Sequence, residues 1–381
     1  MPFIYLAIVT SFLNLFLQVA LTPVFARGLS TDLGLVALAV SAYSIANLVG
    51  NLFAGLVVDR FDKVAVLVAG LLAGAAALGL CGTATGIAPL VVLLMLNGLA
   101  FSVVTPAAYA LLSLHLPDEK RAQGMARSGV TIGLSAMIGP PVAGGLSDLL
   151  GHAGAYGAIG GFLVLMGVVL AFGLRGTASG AGDQDVGLRD LVEILGDRRL
   201  LPAYLGAFIL MYMNGGLVFA LPPHLKAMGY RGAMTGALFS TFAVMAIAVF
   251  VSPLGNLSRR LGAMRAMAVG AVLLGLGCGL LAFVDRLPLM VAAMAVYGLG
   301  FGLVFPAALA ALVASSPEGK RGSAFGVFYA LFSLGGIAGP FALSRAAGLG
   351  VSPFLLATLV PAIAAFGLWS WGARRSLPAT A

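Results

Sequence analysis

Amide and hydroxyl side chains recur at helical spacing inside long apolar stretches of this sequence. Asn14 and Gln18 lie four residues apart, and so do Tyr43 and Asn47. The same class of side chain continues in later apolar stretches at Asn97, Thr105, Tyr212, Asn214, Tyr297, Tyr329 and Ser333. These groups form hydrogen bonds without readily changing charge, so their chemistry is recognition of an uncharged partner. In an apolar medium they should face the interior, where they either line a path for a solute or bond one helix to another.

Groups that could transfer protons or bind metals are scarce in the same stretches. The 13 acidic residues lie at or beyond the ends of the apolar stretches. The sequence contains no phosphate-binding lysine loop, no metal-ligand cluster and no nucleophile–base spacing, so we predict no enzyme and no bound cofactor or metal. The candidates for carrying a proton are Asp32, at the outer end of a span, and His224. His224 is a candidate because a histidine titrates near neutral pH. The plainer interpretation of His224 is a surface histidine.

The composition indicates the medium that surrounds these residues. Hydrophobic residues make up 61% of the 381 residues and charged residues only 9%, whereas soluble domains carry roughly a quarter of charged residues. The charged clusters are separated by apolar stretches of about 20 residues, the length at which a helix crosses a bilayer. The stretches do not alternate polar and apolar residues, which excludes a β-barrel. We predict an integral, all-α membrane protein.

Twelve membrane spans can be placed on the sequence. The predicted spans are 3–26, 34–58, 64–83, 87–114, 124–147, 155–174, 201–224, 233–257, 264–284, 288–314, 322–344 and 353–372. The first span lacks the basic start and the cleavage site of a signal peptide, so we expect it to be retained.

The basic residues predict the orientation in the membrane. They concentrate in alternate connections, for example at Arg60, Lys120 and Arg198, and are fewer at the other ends of the spans, as at Arg27 and Lys226. The positive-inside rule then places both termini in the cytoplasm, and we expect a bacterial inner (plasma) membrane. The rule also accounts for the net charge of +8, so we expect no nucleic-acid partner.

The sequence repeats itself after 200 residues. Asn14 aligns with Asn214 and Pro23 with Pro223, and the loop residues Lys120-Arg121 align with Lys320-Arg321. A parallel duplication of six helices is one way in which transporters form two bundles around a central site. We predict an N-terminal bundle (1–174), a cytoplasmic linker with a short amphipathic helix (175–200) and a C-terminal bundle (201–381).

The loop after the second span carries Gly55, Asp59, Arg60 and Lys63 in the order Gly-x-x-x-Asp-Arg-x-x-Lys. It resembles the cytoplasmic signature of the major facilitator superfamily, although Asp62 stands where that family usually has glycine. The resemblance implies the major facilitator fold, two pseudo-symmetric six-helix bundles. It also implies a conformational latch in which Asp59 docks on the positive N-terminus of the eleventh span and Arg60 pairs across the loop. The alternative is a positive-inside loop without a latch.

The fifth span carries glycines and a proline pair at Gly133, Gly139, Pro140, Pro141 and Gly144. This pattern resembles the helix-kink motif of the exporter (antiporter) branch of the same family. Prolines bend a helix and glycines admit a close neighbour, so such a span could seal one side of a cavity. The alternative is generic packing of small residues.

Energy coupling is where the sequence departs from the exporters that it resembles. These often carry an arginine in the fourth span, where this chain has Leu94, and no carboxylate lies inside a predicted span. Membrane pumps usually carry protons on such carboxylates. We therefore expect transport to be coupled to protons only weakly, or through the substrate itself. Protons are a candidate partner, and Asp32 and His224 are the candidate residues for carrying them.

The resulting functional hypothesis is a secondary active transporter. We predict efflux of small neutral or amphipathic molecules, drugs or metabolites, by rocker-switch alternating access. The expected partners are membrane lipid and the small-molecule substrate, and the expected state is a monomer. Two alternatives stay open: a proton-independent facilitator or importer of a neutral solute, and a non-transporting sensor or lipid-handling protein on the same fold.

Overall fold

The computed structural model describes residues 1–116, 118–177, 193–252, 261–316 and 321–376, and these residues form helices joined by short turns, without any strand. The side chains of 52, 55, 56, 59, 113, 118–130, 321–323 and 373–376 lie outside that description. The helices up to residue 173 are α1 (Pro2–Leu29), α2 (Leu33–Arg60), α3 (Lys63–Leu80), α4 (Ile87–Leu114) and α5 (Asp118–Gly173), with a 3-10 turn at Cys81–Thr83. The predicted amphipathic helix at 188–195 falls largely outside the described residues.

The helices after residue 200 correspond to the second set of predicted spans. They are α6 (Leu201–Ala227), α7 (Gly232–Val251), α8 (Ala263–Leu280), α9 (Leu287–Ser315), α10 (Arg321–Gly348), α11 (Pro353–Ala357) and α12 (Leu359–Ser376). The last predicted span, 353–372, is interrupted at Thr358. Pro361 explains the interruption, because proline has no N–H to donate to the carbonyl of Ala357 one turn earlier.

The long helix α5 contains a sharp break. Gly151 has φ 71 and ψ 171, values outside the helical region, and a positive φ is readily adopted only by glycine. The second arm of α5, after the break, runs antiparallel to α1, since Tyr156 bonds Thr22 near the end of α1 and Gly173 packs on Phe3 near its start. The two arms of α5 therefore correspond to the two predicted spans 124–147 and 155–174.

The helices match the thickness of a bilayer. Eleven helices in the described part of the chain are long and apolar enough to cross a membrane, and one of them is the broken α5. Large apolar side chains project outward, among them Leu149 at 79% exposure, Phe366 at 78% and Ile363 at 73%. Such exposure suits contact with lipid tails and would be unusual on a water-soluble monomer. The prediction of an integral, all-helical membrane protein is confirmed.

Two compact units are distinguished by their internal contacts. The first comprises Met1–Val186 and Leu221–Ser240, and the second comprises Gly187–Ala220 and Thr241–Ala381. The end of α6 and the start of α7 thus group with the first unit. The boundaries that the sequence repeat predicts, 1–174, 175–200 and 201–381, stay a proposal.

The core of the first unit lies between α1, α3, α4 and the second arm of α5. Ile8, Leu67, Phe101, Ala108 and Leu170 are all at most 1% exposed within it. Burying such side chains contributes roughly 1.5–3 kcal/mol each in water, but lipid offers the same apolar contact. In a membrane, close packing therefore contributes more to helix association than hydrophobicity does.

The orientation of the helices can be tested with two single cysteines. Gly28 and Gly196 are exposed, and neither has an atom within 4 Å of where a side chain would start. In a variant without Cys81 and Cys278, which are buried and free, we expect Gly28→Cys and Gly196→Cys to react with an impermeant maleimide from opposite sides, Gly196→Cys from the cytoplasm. Reaction of both from one side would contradict the twelve-span topology.

Candidate functional site

Three buried amides form a closed hydrogen-bond network in the first unit. Asn97 of α4 donates to Oδ1 of Asn14 at 3.0 Å and to the carbonyl of Gly74 in α3 at 2.8 Å. In return, Asn97 Oδ1 accepts from Asn14 at 3.3 Å and from Gln18 at 3.0 Å. Asn14 and Asn97 are completely buried and Gln18 is 7% exposed. The network joins α1, α3 and α4, so it supplies the helix-bonding role that the sequence left open.

Other polar residues of the first unit also bond between or along helices. The hydroxyls of Ser11 and Thr105 lie 2.6 Å apart, and the amide of Asn47 donates to the carbonyl of Gly98 at 3.2 Å. Tyr43, Asn47 and Thr105 are only partly buried, so they keep a surface that a solute could contact. Their place in a transport pathway stays a prediction, as does that of Asn14, Gln18 and Asn97.

The second unit places different groups at the repeat-related positions. Asn97 aligns with Tyr297, whose hydroxyl is completely buried and has no hydrogen-bond partner among the described residues. Asn14 aligns with Asn214, which is 8% exposed and whose amide faces the Met211 sulfur at 3.9 Å, a weak acceptor. The network of the first unit is therefore not reproduced. A buried donor without a partner costs about 1–3 kcal/mol, which a ligand acceptor would relieve.

Aromatic rings surround Tyr297. Phe242 meets its ring edge to face at a centroid distance of 5.7 Å and also contacts Phe301 at 5.4 Å. Phe301 in turn stacks with Phe305 at 6.0 Å. We call Phe242, Tyr297, Phe301 and Phe305 the aromatic cluster. Its members on α9 beyond Tyr297 are partly exposed, so they offer apolar ring faces.

The remaining predicted residues of the second unit lie on α6 and α10. Tyr212 is 4% exposed and stacks with Phe208 at 6.0 Å. Ser333 is 6% exposed, and Tyr329 meets Phe332 edge to face at 5.9 Å. These aromatic contacts extend the apolar character of the second unit. Whether these residues touch a substrate stays a prediction.

The predicted kink motif of α5 is a packing surface. Gly133, Gly139, Pro140 and Gly144 are buried and Pro141 is partly buried. Gly139 packs on Phe16 of α1, whereas Gly144 and Pro141 pack on the start of α7. The motif thus meets two neighbouring helices, and its role in sealing a cavity stays a prediction.

The predicted latch lies partly outside the described side chains. Gly55 and Asp59 fall in the last turns of α2, but nothing of their side-chain surroundings is described. Arg60 is exposed, Lys63 is 4% exposed at the start of α3, and the Asp62 carboxylate accepts from Ala65 N at 2.7 Å. Asp62 thus caps α3, which gives the departure from the family pattern a local structural reason.

The two candidate proton carriers lie at helix ends. Asp32 accepts from Gly34 N at 2.7 Å and Leu35 N at 3.2 Å, so it is the cap of α2. His224 is partly buried in the last turn of α6. Neither arrangement tests proton transfer, and both roles stay predictions. Within the described residues, no group of three or more His, Cys, Asp or Glu could hold a metal ion.

Sequence reasoning missed two contacts of the first unit. Thr22 and Tyr156 share a buried hydrogen bond of 2.8 Å, and Asp148 bonds backbone N–H groups of α7. The sequence placed Asp148 only at the boundary of a span. The position of an acidic residue one turn beyond a glycine-rich motif was the available signal, but it does not say which helix receives the carboxylate.

Comparisons with known proteins agree with this architecture. The model of the Major Facilitator Superfamily matches residues 4–340 and, in a second match, 203–380. The multi-drug resistance efflux pump PmrA of Streptococcus pneumoniae is 23% identical over 344 residues, which cover 87% of this chain and 85% of PmrA. The quinolone resistance protein NorA of Staphylococcus aureus is 24% identical over 145 residues, 38% of this chain and 37% of NorA.

Solved structures share the fold. A POT family transporter in complex with a thioalcohol-conjugated peptide superposes with a TM-score of 0.81 at 12% identity, covering 99% of this chain and 96% of its own. A bacterial homologue of the human lysosomal transporter Spinster, inward-facing and occupied, gives 0.78 at 13% identity, with coverage of 98% and 96%. The predicted fold of two pseudo-symmetric six-helix bundles is confirmed.

Proposed function

Because this chain belongs to the major facilitator superfamily, we propose that it exports small neutral or amphipathic, largely apolar molecules. That the chain is a membrane transporter of a small molecule, and not an enzyme, follows from the family. The direction of transport and the class of substrate are the proposed parts.

The observation that carries the proposal is the kind of side chain that the second unit can offer to a substrate. The stretches 266–284, 287–316 and 322–344 themselves contain no Asp, Glu, Lys or Arg. What remains is uncharged: the aromatic cluster with the buried hydroxyl of Tyr297, and the polar side chains of Tyr212, Asn214, Tyr329 and Ser333. Anion sites need an arginine or lysine, whereas aromatic faces with a few hydrogen-bonding groups suit a largely apolar molecule that carries few polar groups.

The relatives support the export direction. PmrA is named a multi-drug resistance efflux pump and covers most of this chain, and NorA is named for quinolone resistance. The glycine–proline motif of α5 resembles that of exporters. An efflux pump meets its cargo from the cytoplasm or the inner leaflet, where amphipathic molecules accumulate.

The mechanism that we propose is alternating access between the two repeats. We further propose that the protein acts as a monomer in a bacterial inner membrane and that both termini lie in the cytoplasm. Coupling to protons is proposed to be weak or carried by the substrate, since Asp32 is a helix cap and the stretch 64–117 is free of Asp, Glu, Lys and Arg.

The proposal is tested by expressing the chain in a bacterial strain that lacks its main efflux pumps. We expect higher inhibitory concentrations for uncharged and amphipathic compounds and no change for strongly anionic ones. Lower inhibitory concentrations would indicate import. No change, with equally absent flux in liposomes under imposed or zero pH gradient, would favour the non-transporting alternative.

The hydroxyl of Tyr297 gives a sharper expectation. Tyr297→Phe should weaken substrate affinity by roughly three- to tenfold, the effect of losing one hydrogen bond, while leaving the folded yield unchanged. Tyr204→Phe is the matched control, because the Tyr204 hydroxyl is buried but already donates to the carbonyl of Ile194 at 3.2 Å. Direct binding to purified protein measures both variants, and equal affinities for Tyr297→Phe and wild type would contradict the assignment.

A further inference from the structure

The carboxylate of Asp148 bonds to the start of a helix distant in sequence. One oxygen accepts from Gly232 N and the other from Ala233 N, each at 2.8 Å. Asp148 lies three residues before the break in α5, whereas Gly232 is the first residue of α7. All of these residues belong to the first unit, which includes Leu221–Ser240.

The start of α7 lacks an acceptor of its own. The first N–H groups of a helix have no partner within the helix and need a cap. In α2 and α3 the preceding residues, Asp32 and Asp62, provide that cap locally. The residue before α7 is Arg231, whose side chain has only donors. Asp148 therefore supplies from another helix what α2 and α3 obtain from their own sequence.

Below this contact the two helices pack backbone to backbone. A side chain at Gly144 would overlap the carbonyl of Gly232, and one at Gly236 would overlap the backbone of Pro141. One turn further, the hydroxyl of Ser240 donates to the carbonyl of Met137. We call this contact between residues 137–148 of α5 and 232–240 of α7 the seam. It extends over about two turns of α7, and the Asp148 carboxylate lies at its end.

The position of the seam relates it to transport. Residues 221–240 belong to the second sequence repeat but pack with the first. The seam lies at the same end of the first unit as the α1–α2 turn, since His152, just after the break in α5, contacts Phe25 near the end of α1. Asp59 lies at the opposite end, in the last turn of α2. Alternating access requires the repeats to separate at one end while they close at the other.

We propose that Asp148 is a positioning residue that holds this end of the transporter closed, as a second latch opposite the loop of Asp59. The negative carboxylate stabilises the positive N-terminus of α7, and the pair must part before a substrate can leave or enter at that end. The proposal rests on alternating access, but not on the class of substrate or the direction of transport.

The test measures, without any substrate, the distance between α5 beside Asp148 and the end of α6, which leads through the α6–α7 turn into α7. Spin labels at Leu149→Cys and Ala227→Cys, both exposed, are placed in a background without Cys81 and Cys278. In Asp148→Ala we expect the population with the longer distance to rise about fivefold relative to the closed one, as expected for the loss of a charge at a helix N-terminus. In Asp148→Asn we expect it to rise less, because the amide keeps one acceptor oxygen. Asp32→Ala is the matched control, since it removes a two-bond cap at the same end that stays within its own helix.

Each outcome decides the proposal. A distance distribution for Asp148→Ala that superimposes on the wild type, or an equal shift in Asp32→Ala, overturns the latch. If Asp148→Ala fails to fold, Asp148→Asn carries the same comparison. A shift confined to the Asp148 variants supports the latch even if the chain exports none of the tested compounds, so the failure of the proposed substrate class is distinguishable from failure of the latch.

Discussion

Asp59→Asn is expected to reduce transport about tenfold while leaving the folded yield nearly unchanged. The substitution keeps the size of the side chain and removes its charge. A charge placed on a helix dipole contributes roughly 0.3–2 kcal/mol, and 1.4 kcal/mol changes a conformational equilibrium tenfold. Transport rates in liposomes, compared at equal amounts of folded protein, measure the effect.

The position of Asp59 in its own helix explains why a partner elsewhere is needed. It lies in the last turn of α2, which ends at Arg60, and the C-terminal end of a helix disfavours a negative charge. The partner that we propose, from the family resemblance, is the N-terminal turn of α10 near Gly322. Docking of Asp59 there would lower the energy of the conformation that is closed on the side of the α2–α3 loop, the predicted cytoplasmic side.

Asp62→Asn provides the control in the same loop. The Asp62 carboxylate caps α3 through Ala65 N, and asparagine is about as good a cap as aspartate. We therefore expect Asp62→Asn to retain most of the transport. Similar losses in the two variants would mean that Asp59 is a general determinant of loop structure and not a latch.

The fold was predictable because its signal is repeated along the chain. The stretch 64–117 contains no Asp, Glu, Lys or Arg, and it becomes α3 and α4 with the 3-10 turn between them. The predicted gap between the fifth and sixth spans corresponds to the break at Gly151. The interruption at Thr358 was missed, because a proline inside a span, here Pro361, is compatible with either a kink or a break.

The polar residues show where sequence reasoning stopped. Helical spacing placed Asn14 and Gln18 on one face, and the structure places both against Asn97. Spacing cannot tell whether such a face meets another amide or a cavity, because that depends on a helix some 80 residues away in sequence. The same limit hid the contact of Asp148 with α7, which joins residues 84 positions apart.

Asn97→Leu is expected to lower the free energy of unfolding by about 1–3 kcal/mol, the cost of leaving buried polar groups without partners. Leucine preserves the approximate volume but removes the acceptor of Asn14 and Gln18 and the donor to the carbonyl of Gly74. Interhelical hydrogen bonds in membranes often contribute less than in water, about 0.6 kcal/mol each, so the estimate relies on several bonds being lost together.

The repeat-related variant Tyr297→Phe gives the matched comparison in the second unit. Its hydroxyl has no partner among the described residues, so removing it should leave the unfolding free energy within about 0.5 kcal/mol of the wild type, or raise it, by relieving a desolvated donor. Unfolding of the purified protein in mixed micelles measures both variants. A loss of stability in Tyr297→Phe as large as that in Asn97→Leu would show that the two repeats use this position in the same structural way, and would remove the reason for assigning the Tyr297 hydroxyl to the substrate.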